Sequence, residues 1–273
     1  MGANWGAGFH APPTGSVDAQ AYDRYIGRWS RLFVPTLLAA AEVRVGYRVL
    51  DVATGTGEAA LAATEVVGDS GVIVGADISV AMLLAAAGRM ARPPFVPVVA
   101  DGQFLPFRDS TFDAILCHLG LMFFPDPSRG LAEARRVLRP GRCMSVCVIS
   151  TAERAPMWGI LADTLGRYLP SRARELQLSF ALATPGRLAD LLAHASFQDI
   201  RVEAITCEGS YASFDEYWAT IESGTGLLPQ AYCTLPFASR AEVRDAVRER
   251  LGRFEHNGRL VMSLEMLIAV GRA

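Results

Sequence analysis

VLDVATGTGEAAL, Val49 to Leu61, runs from an apolar stretch through two glycines into an alanine-rich pattern of helical period. That is the pattern of a buried strand, a tight turn and a helix in immediate succession. Gly55 and Gly57 let the backbone turn sharply and approach a ligand closely, where a Cβ would collide. The helix beginning at Glu58 presents its first amides, and its positive dipole end, to whatever lies above the turn. Gly55-Thr56-Gly57-Glu58-Ala59-Ala60 fits G-x-G-x-x-A, and Asp77 stands twenty residues after Gly57, where a ribose-binding acid is expected. Taken alone, this fingerprint says NAD. Asp51 argues otherwise: an anion beneath the loop works against a pyrophosphate and suits a ligand carrying cationic groups, although it could also simply cap loop amides.

Outward from this stretch, short apolar runs alternate with amphipathic segments. Tyr47–Ala53, Val72–Asp77, Phe95–Ala100, Phe112–His118 and Cys143–Ile149 read as strands; Glu58–Val67, Val80–Met90 and Ser128–Leu138 read as helices. The strand runs are apolar throughout, which marks burial on both faces. Repeated β-α units of this size predict an α/β fold with a parallel sheet covered by helices. Beyond Ser150 the rhythm loosens. Pro156–Phe180 looks helical, and Pro185–His194 is a helix with Thr184 as N-cap and Pro185 in the first turn. Ile200–Cys207 is a strand, Phe214–Glu222 and Arg240–Phe254 are helices, and Leu260–Val270 is a strand of period two. Seven strands would complete one sheet, the last tucked antiparallel between earlier ones.

A chain that is 51% hydrophobic and 20% charged has ample material for a core. With net charge −2 it carries no global positive field to recruit polyanions. Arg135/Arg136/Arg139 and Arg244/Arg248/Arg250 have the spacing of solvated helix faces rather than of a nucleic-acid patch. No apolar run approaches the ~20 residues that span a bilayer. The first sixteen residues are rich in Gly, Ala and Pro without a basic leader, so they read as a mobile tail. A cytoplasmic protein is expected. The five cysteines form no C-x-x-C and read as reduced core thiols, and no metal site is expected.

Two further acids sharpen the ligand. Asp77, in IVGADIS, can accept from both ribose hydroxyls, a need shared by NAD and S-adenosylmethionine, or it can cap the next helix. Ile78 and Met82 could cover the adenine faces, although Met82 suits plain core packing as well. Asp101, in VVADGQFLPF, ends the third strand and could accept from an exocyclic amine, with Gly102 and Gln103 at the adenine rim. Nothing in dinucleotide recognition requires this third acid. VLDVATGTG, GADIS, ADGQFLPFRDSTFDAILCHLGLMFFPD and EARRVLRPGR, in this order and spacing, resemble class I S-adenosylmethionine-dependent methyltransferases. The nearest likeness is to the branch related to ubiquinone and menaquinone biosynthesis methyltransferases.

The resemblance implies a seven-stranded Rossmann-like fold, S-adenosylmethionine as methyl donor and S-adenosylhomocysteine as product. It puts Asp51, Gly55, Gly57, Asp77 and Asp101 at cofactor positions, with Thr54 in the same loop. Ala53 departs from the family's usual glycine. His118 is the candidate general base, or else a histidine that lends backbone to the cofactor and packs its ring. Ala21–Ser30 looks like the branch's helical lid, over which Tyr22, Arg28 and Trp29 could close, with Arg28 near the cofactor carboxylate or stapled to the cap. The implied layout is a tail over 1–16, a lid over 17–45, and a core over 46–150, 182–207 and 258–273. A substrate cap takes 151–181 and 208–257. Met157, Trp158, Phe180, Tyr211, Tyr217, Trp218, Tyr232 and Phe237 supply the cap with apolar and aromatic groups. They favour a small lipophilic or aromatic acceptor, unless they form the cap's own core. No nucleic-acid or membrane partner is expected, and monomer and homodimer stay equally open. The competing readings are an enzyme that uses S-adenosylmethionine without methylating, such as a cyclase, and an NAD-dependent oxidoreductase.

Overall fold

The computed structural model describes residues 18–90 and 95–273; the tail over 1–16, with His10, lies outside the described residues. The chain begins with a helical run made of α1 (Ala19–Tyr22), a π-helical turn (Asp23–Gly27) and α2 (Arg28–Ser30), followed by α3 (Val34–Ala40). Residues four apart share a helix face. Tyr25, Trp29 and Phe33 are accordingly buried together in the core.

The expected alternation follows: β1 (Arg48–Val52), α4 (Glu58–Val67), β2 (Val72–Asp77), α5 (Val80–Arg89), β3 (Phe95–Val99), β4 (Phe112–His118), α6 (Pro127–Val137) and β5 (Leu138–Ile149). Then come α7 (Pro156–Tyr168), α8 (Ala173–Leu176), α9 (Pro185–His194), β6 (Gln198–Tyr211), α10 (Phe214–Glu222), α11 (Leu227–Cys233), α12 (Phe237–Leu251), β7 (Glu255–His256) and β8 (Arg259–Arg272). The sheet runs β3-β2-β1-β4-β5-β8-β6, with two-residue β7 paired to β8. Strands β1 to β5 are parallel, and β8 lies antiparallel between β5 and β6. This is the Rossmann-like sheet read from the sequence, last strand included. Its order reverses between β1 and β4, where a ligand crevice forms outside the strand ends.

Three expectations need correction. Strand β3 is not buried on both faces: it is an edge, with Val96 and Val99 exposed. Pro97, which cannot donate to a ladder, is at home in such an edge. Strand β6 continues past Cys207 to Tyr211 because β8 pairs with it as far as Leu260, so the second irregular segment starts later than expected. Thr184 holds the extended N-cap conformation, but its side chain makes no cap bond to α9.

Helix α7 packs against α11 and α12, bringing the two irregular segments together. Tyr217 donates to the Met157 carbonyl at 2.8 Å and Arg250 pairs with Asp163 at 2.7 Å across that contact, while within the second segment Phe214 stacks on Trp218 and Trp218 meets Tyr232 edge-on. The arginine clusters are tied to acids, with Arg136 on Glu133 and Asp109, Arg139 on Asp113, Arg244 on Asp215 and Arg250 on Asp163. All five cysteines are free. Among the described residues no helix is long and apolar enough to cross a membrane.

Candidate active site

The crevice between β1 and β4 is a cavity of about 1020 Å³, its open mouth included. Asp51 to Glu58 give its floor and Asp77 with Ile78 one wall. Ala100 to Gln103 and Phe123 to Pro125 give the far end, and the helical run gives the roof through Tyr22, Ile26, Gly27 and Ser30. Tyr22, Ile26 and Ser30 are again four apart, so one helix roofs the cavity with one face and joins the core with the next.

Asp51 ends β1, 1% exposed. Its Oδ2 accepts from the Thr54 hydroxyl at 2.7 Å and the Ala60 amide at 3.1 Å, holding the glycine turn to the first turn of α4. Its Oδ1 is buried with no partner. Burial pushes the carboxyl up to about 7, against the pull of those two bonds. Asp77 accepts from the Gly55 amide through Oδ2 at 2.9 Å and from the Ser79 amide through Oδ1 at 2.8 Å. It therefore fixes the turn as well as facing the cavity. Burial raises its carboxyl too. Ser79, not Asp77, caps α5, accepting from Met82 N–H.

Asp101 is gripped by Gln103: Oδ1 accepts from the Gln103 amide at 2.8 Å, and both oxygens face the side-chain Nε2 at 3.1 and 3.2 Å. Gln103 Oε1 in turn accepts from the Asp126 amide. Gly102 leaves room for Phe124, whose ring would lie 2.4 Å from an added Cβ.

Ala53 has φ +56° and Leu119 φ +58°, two left-handed non-glycine residues at the ends of β1 and β4. The Ala53 methyl occupies the space beside Gly120, where a second Cβ would come within 2.5 Å. The departure from the expected glycine is thus accommodated by a glycine opposite.

His118 lines the cavity and also braces its roof. Its Nε2 lies 3.1 Å from the Ser30 carbonyl, to which an N–H donates, and its Nδ1 is buried without a partner. Burial holds the ring down at about 4, so it is neutral at pH 7. The ring joins the roof to β4. Three expected contacts fall outside the cavity lining. Arg28 points to the cap, pairing with Glu216 at 2.9 Å and lying 4.4 Å above the Tyr211 ring. Met82 is buried on α5. Gly57 turns left-handed at φ +83° and seats α4 against α5, where an added Cβ would come within 3.0 Å of Ala86.

The remaining expected residues, Tyr22, Asp51, Ala53, Thr54, Gly55, Asp77, Ile78, Asp101, Gly102, Gln103 and His118, line the one cavity. Sequence reasoning missed Ile26, Ser30 and Glu58. The spacing of Ile26 and Ser30 from Tyr22 was their signal. None of the expected cap residues lines it, because Met157, Trp158, Tyr211, Tyr217, Trp218 and Tyr232 are buried in the cap's own core.

Comparison with known proteins bears first on the fold. A Bacillus halodurans protein assigned to the methyltransferases superimposes with a TM-score of 0.60 at 20% identity, covering 88% of this chain and 97% of its own, which shows a shared fold. Residues 50–145 match the model of the family described as a methyltransferase domain. Over its core this chain is similar to the ubiquinone and menaquinone methyltransferases. It is 39% identical over 129 residues to a demethylmenaquinone methyltransferase of Corynebacterium kroppenstedtii, covering 47% of this chain and 53% of that one. It is 38% identical over 129 residues to a ubiquinone/menaquinone biosynthesis C-methyltransferase of Teredinibacter turnerae, covering 46% and 52%. The match spans about half the length of these curated relatives.

Proposed function

We propose that this chain is an S-adenosylmethionine-dependent methyltransferase acting on a small, lipophilic or aromatic acceptor, with S-adenosylhomocysteine as the other product. One observation carries the choice of donor. Asp51, Glu58, Asp77 and Asp101 all line the cavity, and among the described residues no arginine or lysine does. A pyrophosphate would meet four carboxylates there and no cationic side chain to offset them. A ligand with a sulfonium and an ammonium meets partners instead, and one of them, Asp51 Oδ1, is a buried acceptor still without a bond. Such an orphan costs free energy until a donor arrives.

In this reading Asp51 faces the ammonium, Asp77 the ribose hydroxyls, and Asp101 with Gln103 the adenine amine. Backbone amides and Gln103 already orient these carboxylates, so little reorganisation accompanies binding. When bound, S-adenosylmethionine supplies a methyl group activated by its positive sulfur. The protein has only to position the acceptor and exclude water, and orientation alone is worth up to about 7–11 kcal/mol. The roof of Tyr22, Ile26 and Ser30 does the excluding.

The names of the curated relatives make a quinol-type ring the first acceptor to test. A cytoplasmic location accords with this reading. Titration with S-adenosylhomocysteine and with NAD tests the donor: binding of the first alone is expected, and tight NAD binding without it would overturn the proposal. Incubation with methyl-labelled S-adenosylmethionine and ring acceptors then tests transfer, since unlabelled product would exclude methylation.

A further inference from the structure

We infer that Arg89, the last residue of α5, latches the helical roof over the cavity. The inference rests on the cofactor reading above. The Arg89 guanidinium reaches three elements at once. Its Nη1 donates to Asp23 Oδ1 on the roof at 3.1 Å and to the Thr56 carbonyl of the glycine turn at 3.1 Å. Its Nη2 donates to Glu58 Oε2 on the first turn of α4 at 2.9 Å. The Thr56 hydroxyl closes the cluster by donating to the same Asp23 oxygen at 3.2 Å.

Thr56 and Glu58 line the cavity, as do Tyr22, Ile26 and Gly27 around Asp23, whereas Arg89 and Asp23 themselves do not. The cluster therefore ties roof to floor from behind and touches no ligand: Arg89 is a positioning residue. At the other end of the roof Trp29 donates to the Tyr211 hydroxyl and its ring fills the space over Gly209, so that end is fixed on β6. The end at Asp23 is held by the latch.

Two local features fit a segment that opens there. Asp23–Gly27 is a π-helical turn, a widened geometry that concentrates at functional sites. Gly27 makes space for the latch, since a Cβ on it would lie 2.9 Å from Asp23 Oδ1. The latch closes over a bound donor, slows its exchange and keeps Tyr22 above Asp77.

The test is the dissociation rate of S-adenosylhomocysteine, followed by stopped-flow displacement. Losing a charge-assisted bond should raise that rate roughly 10- to 100-fold in R89M and D23N. D23N spares the bonds of Arg89 to Thr56 and Glu58, so it reads the roof contact alone even if R89M folds poorly. Gly27→Ala should act in the same direction without removing a charge, and R89K should restore part of the effect. In the unsubstituted protein the rate should climb with salt, because the latch is an ion pair, and in D23N it should be flatter. The chain has no lysine, so R89K also carries its one side-chain amine, whose acylation should slow when S-adenosylhomocysteine saturates. An unchanged dissociation rate in folded D23N would overturn the latch. Failure of the unsubstituted protein to bind S-adenosylhomocysteine would instead overturn the cofactor reading, and the latch with it.

Discussion

The cavity floor and the cap are held together by opposite means. The floor is backbone and carboxylates: Asp51 and Asp77 each spend hydrogen bonds on the glycine turn, and Asp101 is locked by Gln103. The cap is close-packed aromatic surface, with Trp158, Tyr217 and Trp218 each at most 1% exposed. Perturbing the floor should therefore change ligand affinity, and perturbing the cap should change stability. The floor leaves Asp51 Oδ1 unpaired at the cavity, whereas the unpaired indole N–H groups of Trp158 and Trp218 are buried in the cap away from it.

The sharpest way to break this contrast is Trp218→Ala. It should lower stability by about 3–5 kcal/mol, as large-to-small core changes do. The affinity of the folded fraction for S-adenosylhomocysteine should not move. Denaturant unfolding and calorimetric titration together would show whether the cap instead reaches the ligand.

Asp51→Asn should do the reverse, weakening S-adenosylhomocysteine binding roughly 10- to 100-fold, the scale of a charged hydrogen bond. It should also leave a pH signature. A folded carboxyl raised from 3.8 to about 7 stabilises the free protein fully below the ordinary carboxylate range. That stability is lost as pH rises toward 7, because the fold must then hold a buried anion. Melting temperature should therefore fall between pH 4 and about 7 in the unsubstituted protein, and less steeply in D51N. Equal slopes would show that Asp51 is not the group responsible.

Gly102→Ala sits where the two regimes meet. Its Cβ would crowd Phe124, so a cost of about 1–3 kcal/mol in stability is expected, together with weaker ligand binding as the ring is pushed into the cavity. The smallest effect belongs to Ala53→Gly. Relief of the left-handed backbone at φ +56° should offset the lost methyl contact and the added chain freedom, for a net change within about 1 kcal/mol. A large change in either direction would mean that the pairing with Gly120 matters more than the turn.

Legibility in the sequence followed the same division. Strand-end acids and glycines are read from local order, because a strand ends where its apolar run ends and the next residue faces the crevice. Asp51, Asp77 and Asp101 were read that way, and so was β8 as a strand, from the alternation of Met262, Leu264 and Met266; its antiparallel direction belonged to the family resemblance. Arg28 was misplaced because a helix position does not say which neighbour a long side chain will find. The bond of His118 to Ser30 was not foreseen for a related reason: the two are 88 residues apart. The cap aromatics read equally well as a pocket or as a core, and only their mutual packing separates the two.

The ladder between β6 and β8 has a consequence of its own. Tyr211 and Leu260 face one another across its last rung, and the two-residue β7 pairs with β8 on its other side, so the chain leaves and rejoins the sheet at one end of the ribbon. Everything between them is a detour from the tip of a two-stranded ribbon. That arrangement is a grafting point: one mainly α-helical insert can be exchanged for another while the turn after β1 keeps the hydrogen bonds that Asp51 and Asp77 make to it. The cap can thus diversify while the cavity floor stays as it is.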